Sequence, residues 1–137
     1  AELPRRAAKK PRPRRHGVHF WLTDGVHVAL RRRPPDGLLG GMEELPGTPW
    51  RDAAWDWAEA AAHAPAAAAW RPVGEVRHVF THFELSIAVH AARVESLTRT
   101  LPSGLSARRR DRLAESALPS VMRKCAAVAE AAEARGA

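Results

Sequence analysis

The chain has 137 residues, a formal net charge of +7, a single cysteine and five tryptophans. That length suits one domain with one hydrophobic core. The lone Cys125 excludes an internal disulfide or a cysteine-built metal cluster, and no apolar run approaches the roughly 18 residues of a membrane span. With arginines where a secretory signal needs apolar bulk, the chain reads as soluble, cytoplasmic and housed in a reducing compartment.

Residues 1–15 (AELPRRAAKKPRPRR) carry seven basic side chains against Glu2 alone, so most of the net charge sits there. With three prolines and little apolar bulk, this stretch cannot offset the entropy of ordering and is expected to be a tail or interdomain linker. Lys9, Lys10, Arg12, Arg14 and Arg15 then either follow phosphates or solvate a tether. Order is expected from Gly17, giving a linker at 1–16 and one domain over 17–137. VHFWL and VHVALR flank Thr23-Asp24-Gly25 and predict a hairpin; with Asp24-Gly25 as the two-residue loop, Trp21 faces Val28 and Phe20 faces Ala29. Both faces of that hairpin carry apolar groups, as in a sheet covered on two sides.

The Gly- and Pro-rich stretch 34–49 predicts a structured loop with one short strand near Met42 to Leu45. Trp50, Ala53, Ala54, Trp57, Ala58 and Ala61 recur at helical spacing and predict an amphipathic helix, with Thr48 as N-cap and Pro49 in its first turn. Val73–Phe80 and Phe83–Val94 predict two strands, the second with Phe83, Leu85, Ile87 and Val89 alternating with more polar residues. Residues 98–117 are polar and predict a loop whose Arg108, Arg109, Arg110 and Arg112 could lie near phosphates. A last helix from Pro119 to Ala134 places Met122, Cys125, Ala126 and Ala129 on one face, with Arg123 and Lys124 elsewhere. Strands and helices in this order predict an α+β sandwich.

Catalytic motifs are missing. There is no G-x-S-x-G elbow, P-loop or G-x-G-x-x-G. GGMEELPG resembles the entrance of the glutamate-rich box by which Nudix hydrolases bind divalent metal against a pyrophosphate, yet Gly47 stands where that pattern requires glutamate. The following WRDAAWDWAEAAAH has neither the Arg-Glu nor the Glu-Glu pair, and Asp52, Asp56 and Glu59 read as a solvated polar face. His19, His27, His78 and His82 fall on strands and loops, where a four-residue spacing does not converge two rings on a metal. Cys125, on the apolar stripe of a helix, reads as an inert small hydrophobe.

Four segments, in chain order, resemble the C-terminal domain of MutY-type adenine DNA glycosylases: the basic connector LPRRAAKKPRPRR, the stretch GLLGGMEELPGTPW, the strand–loop–strand RHVFTHFEL and the closing helix LPSVMRKCAAVAEA. Two residues depart from the family pattern: Thr81 replaces a serine in its Phe-Ser-His loop, and Glu43 replaces a tryptophan. The resemblance implies a Nudix-like α/β/α sandwich with a mixed sheet and two main helices. It also implies a role in base excision repair: recognition of 8-oxoguanine opposite adenine in double-stranded DNA, beside an N-terminal catalytic domain that flips and excises the adenine. No catalytic residue, metal or cofactor is then expected in this chain, whereas the family's [4Fe-4S] cluster lies upstream; the chain is expected to be monomeric and to keep off membranes.

By the same resemblance Thr81 and its flanking backbone read the lesion, Phe80 and His82 shape the loop and approach the duplex, and an aromatic wedge is a further option. On spacing alone, Phe80 and Phe83 read more simply as core. Arg77, His78, Arg123 and Lys124 are candidates for phosphate contacts, which position a duplex without reading it. Two alternative readings are an active Nudix hydrolase on oxidised nucleotides and a protein-docking module.

Overall fold

The computed structural model describes residues 12–136, so Lys9 and Lys10 of the basic segment lie outside the described residues. Six strands, β1 (Arg14–Thr23), β2 (His27–Arg32), β3 (Glu43–Glu44), β4 (Arg71–Val79), β5 (Glu84–Arg93) and β6 (Ser106–Arg109), combine with helices α1 (Trp57–Ala61) and α2 (Ser120–Ala134) and a 3-10 turn at Arg110–Glu115. The sheet runs β3-β2-β1-β5-β4, with β6 also paired to β2. It is mixed: β1 pairs in parallel with β5 along its whole length, while β4 and β5 pair antiparallel.

Parallel pairing at the centre buries β1 on both faces, which is why Val18 to Thr23 read as an unbroken buried run. One core holds Trp21, Leu85, Ile87 and Val89 against Met122, Cys125 and Ala129 of α2. On the other face Val18 and Phe20 pack against Ala60 of α1, and Leu22 and Ala29 against Leu97. The result is the α/β/α sandwich expected.

Four expectations are corrected. Strand β1 begins at Arg14, three residues before Gly17, because Arg14, Arg15 and His16 add to the edge of β5 opposite Glu84, Leu85 and Ser86. The β1–β2 register is Thr23 opposite Val28, so Trp21 does not face Val28. The turn spans four residues because the Asp24 carboxylate accepts from the Val26 N–H (3.0 Å), the His27 N–H (2.6 Å) and, across the fold, the Leu97 N–H (2.9 Å). Burial would raise the Asp24 pKa, but those N–H donors and the His27 ring hold it far below the usual carboxylate range. Gly25 still supplies the positive φ (95°) that the Asp-Gly pair promised.

The predicted helix over 48–61 shrinks to Trp57–Ala61, with Asp56 as N-cap accepting from the Glu59 N–H at 2.8 Å. Upstream, the backbone pairs with β1 instead: Thr48 N–H donates to Val18 O (2.9 Å), and His16 and Arg51 exchange bonds of 2.7 and 3.0 Å. Asp56 is thus a cap and Glu59 pairs with Arg51 at 2.8 Å, while Asp52, Asp56 and Glu59 all stay exposed to solvent. The polar stretch 98–117 is also more ordered than a loop. Arg108 donates to the buried Glu43 (2.7 Å), Arg109 pairs with Asp111 (2.8 Å) and Arg110 with Glu133 (2.8 Å). Arg108 and Arg110 thus tie this stretch to the rest of the fold, whereas Arg109 and Arg112 keep exposed local pairs with Asp111 and Glu115, and Arg108 explains how Glu43 is accommodated.

Candidate nucleic-acid interface

Loop 80–83 joins β4 to β5. A 2.8 Å bond from the Phe80 N–H to Phe83 O closes it, leaving Thr81 and His82 exposed at the tip while Phe83 is buried. The two phenylalanines stack with centroids 4.8 Å apart, so the half-buried Phe80 rests on the core residue Phe83 and together they brace the tip. The Thr81 carbonyl receives Arg12 Nε at 3.4 Å, and its hydroxyl has no polar partner among the described residues.

The phenylalanine pair extends into a longer chain of rings. Phe80 lies 6.2 Å from Trp50 in a tilted pair, Arg33 sits 4.6 Å over the Trp50 ring, and Arg15 sits 4.6 Å over Phe83. Both ends of the aromatic run thus carry a guanidinium. Trp50 is held by its Nε1–H, which donates to His19 Nε2 (3.0 Å), and His19 Nδ1–H in turn donates to Leu45 O (2.8 Å). This chain assigns the neutral tautomer, because Nε2 must accept. Burial is the chief cause that lowers the His19 pKa from 6.5 to about 4, with Glu44 opposing it.

On the α2 side, Phe80 meets the His78 ring edge-on at 4.7 Å, and Lys124 Nζ donates to His78 Nδ1 at 3.0 Å. Burial and then the Lys124 charge lower the His78 pKa, keeping the ring neutral and its Nδ1 an acceptor. Phe80, Thr81, His82, His78, Lys124, Arg12 and Arg15 therefore gather at one end of the sheet. Arg14 stands nearby, 3.8 Å from Glu84. Two candidates stand apart. Arg77, one residue before His78 in a strand, projects from the opposite face. The Arg123 guanidinium is committed to the carbonyls of Leu118, Leu113 and Ser116 (3.1, 3.4 and 2.9 Å), tying the 3-10 turn to α2.

Sequence reasoning missed Trp50, Arg33, Arg31 and His19. The helical spacing of Trp50 masks it, although Pro46, Gly47 and Pro49 before it also suit the extended segment that the structure contains. Gly47 sits against β1 so closely that a Cβ would fall 2.5 Å from His19 Nδ1 and 2.6 Å from Val18 O. The glutamate of the hydrolase pattern has no room there. Among the described residues no three His, Cys, Asp or Glu side chains converge as metal ligands. Cys125 is buried, which pushes its thiol up to about 12. No helix among the described residues is long and apolar enough to cross a membrane.

The family model for the NUDIX domain matches residues 18–128, most of the chain. The chain belongs to the NUDIX domain family. This NUDIX domain is 29% identical over 136 residues to human adenine DNA glycosylase, an alignment covering 89% of the chain but only 25% of that protein. It therefore spans about a quarter of the relative's length. Among solved structures it resembles the C-terminal domain of mouse MUTYH, crystallised with human PCNA, at a TM-score of 0.63 and 21% identity over 85% of this chain and 87% of that one. A MutT NUDIX hydrolase from Burkholderia pseudomallei aligns at 0.55 and 16% identity over 82% and 95%. The E. coli ORF135 protein aligns at 0.63 and 10% over 90% and 94%. These structural likenesses establish the Nudix-like fold.

Proposed function

We propose that this NUDIX domain is the lesion-reading module of a MutY-type adenine DNA glycosylase. It docks on duplex DNA, sets loop 80–83 against an 8-oxoguanine paired with adenine, and leaves excision of the adenine to a catalytic domain outside this chain. The observation that carries the reading is the braced loop itself: an exposed Thr81 hydroxyl without a polar partner among the described residues, on a tip held by the Phe80–Phe83 stack and flanked by basic side chains.

8-Oxoguanine differs from guanine in carrying O8 and a protonated N7, so a reader must offer an acceptor where guanine needs a donor. A hydroxyl can act as that acceptor, and a rigid tip presents it at little entropic cost. Arg12, Arg15 and Lys124 around the loop supply the sequence-independent attraction to phosphate. The resemblance to human adenine DNA glycosylase over most of the chain supports the same assignment. A [4Fe-4S] cluster takes four cysteines; with Cys125 alone, this chain leaves the cluster to the upstream region of the parent enzyme.

The test is binding of the chain, as a monomer, to two duplexes at one fixed salt concentration, one with 8-oxoguanine and one with guanine opposite adenine. Thr81→Ala should lower the preference for the lesion about tenfold, the range of one base-edge contact, with little change in affinity for the guanine duplex. Thr81→Ser should keep it. An unchanged ratio in Thr81→Ala overturns the assignment of the loop.

A further inference from the structure

Beside the loop an open cleft of about 440 Å³ is lined by Arg15, Arg31, Arg33, Thr48, Pro49 and Trp50, among others. Its charge is built, not incidental. Glu44, with its side chain only 2% exposed, accepts Arg31 Nε on one oxygen (2.8 Å) and Arg33 Nη1 on the other (2.7 Å). Arg31 also donates Nη2 to Gly47 O (3.0 Å) and Arg33 its Nε to Leu38 O (3.1 Å). One buried carboxylate thus orients two guanidiniums and neutralises one, leaving Arg31 Nη1 and Arg33 Nη2 without a hydrogen-bond partner among the described residues. Arg15 adds a third guanidinium with no carboxylate partner among the described residues, positioned by the Phe83 ring. The lining contains no acidic residue.

We propose that this cleft is a phosphate site, and that it holds a phosphodiester of the bound DNA strand close to the nucleotide at loop 80–83. The proposal rests on the reading of that loop as a DNA contact. Guanidinium forks held in fixed orientation match phosphate oxygens in pairs, and their prior ordering removes much of the entropic cost of capture. A phosphate is the fitting anion because the cleft and the loop share one framework: Arg33 packs on Trp50, Trp50 on Phe80, and Arg15 on Phe83. A strand crossing the loop has its phosphates led directly into the arginines. The cleft places this contact on Arg15, Arg31 and Arg33, of which only Arg15 belongs to the basic N-terminal segment.

The experiment is duplex binding across a salt series for the unmodified chain, Arg15→Gln and Arg15→Lys, with thermal melts to verify folding. Arg15 is exposed, so its replacement leaves no buried charge unpaired. Losing one phosphate contact should reduce the slope of log K against log salt by about 0.9, and lysine should restore it. The preference for 8-oxoguanine over guanine should stay the same in Arg15→Gln, whereas Thr81→Ala should change that preference and leave the slope alone. Failure of the loop reading and failure of the cleft reading are thereby separate outcomes. Duplex DNA should also shift the Trp50 indole and Thr48 amide resonances. An unchanged slope in Arg15→Gln, or DNA that leaves both resonances in place, overturns the proposal. So does a deoxynucleoside monophosphate that shifts them at concentrations where duplex does not, since the cleft would then serve a free nucleotide.

Discussion

Lowering the pH should unfasten the interface from within, through His19. This ring is fully buried, donates through Nδ1 to Leu45 O and accepts the Trp50 indole through Nε2. Protonation puts a second N–H where Nε2 must accept, so the folded state binds the proton only at about pH 4, whereas the unfolded chain binds it at 6.5. The folded pKa is depressed, so the unfolded state holds more protons inside that window and stability falls as pH falls from 6.5 to about 4. At about 1.4 kcal/mol per pKa unit, the His19 contribution amounts to about 3 kcal/mol lost by pH 4, with about 1 kcal/mol already gone at pH 5.5.

The assay is urea denaturation at pH 7, 5.5 and 4 for the unmodified chain and for His19→Gln. The amide can donate and accept along the same two bonds but does not titrate. Burial lowers the His78 and His90 pKa values too, so both rings act in the same direction, but they are common to the two proteins and cancel in the comparison. The unmodified chain should lose about 3 kcal/mol more than His19→Gln between pH 7 and pH 4. Parallel losses would refute the reasoning.

Two further substitutions probe the frame around the site. Gly47→Glu, the residue a hydrolase pattern demands, should destabilise the fold by about 3 kcal/mol or more and confer no magnesium-dependent turnover of 8-oxo-dGTP, because its Cβ meets Val18 O and His19. Gly47→Ala within about 0.5 kcal/mol of the unmodified chain in urea melts would show that the strand can give way. Asp24→Ala should cost about 2–4 kcal/mol, since the N–H groups of Val26, His27 and Leu97 lose their acceptor together. A change in melting temperature of less than a few degrees would show that water replaces the carboxylate.

Much of this protein is legible from its residue order because local periodicity reports which side chains are apolar and where the chain must turn. The alternation of Leu85, Ile87 and Val89 marks β5, the stripe of Met122, Cys125 and Ala129 marks the buried face of α2, and Asp24-Gly25 marks a turn, all as observed. The segment Phe80–Phe83 stands out by its resemblance. Periodicity says nothing about which partner an apolar face will find. The helical spacing of Trp50 and Trp57 is real, but their rings are claimed by His19 and by His90, 31 or more residues away, and those contacts outweigh the weak helix preference of a short alanine-rich run. The parallel pairing of β1 with β5, the guanidiniums placed over Trp50 and Phe83, and the shared carboxylate of Glu44 arise the same way. Each joins residues distant in the chain, and only the packed core brings them to one end of the sheet.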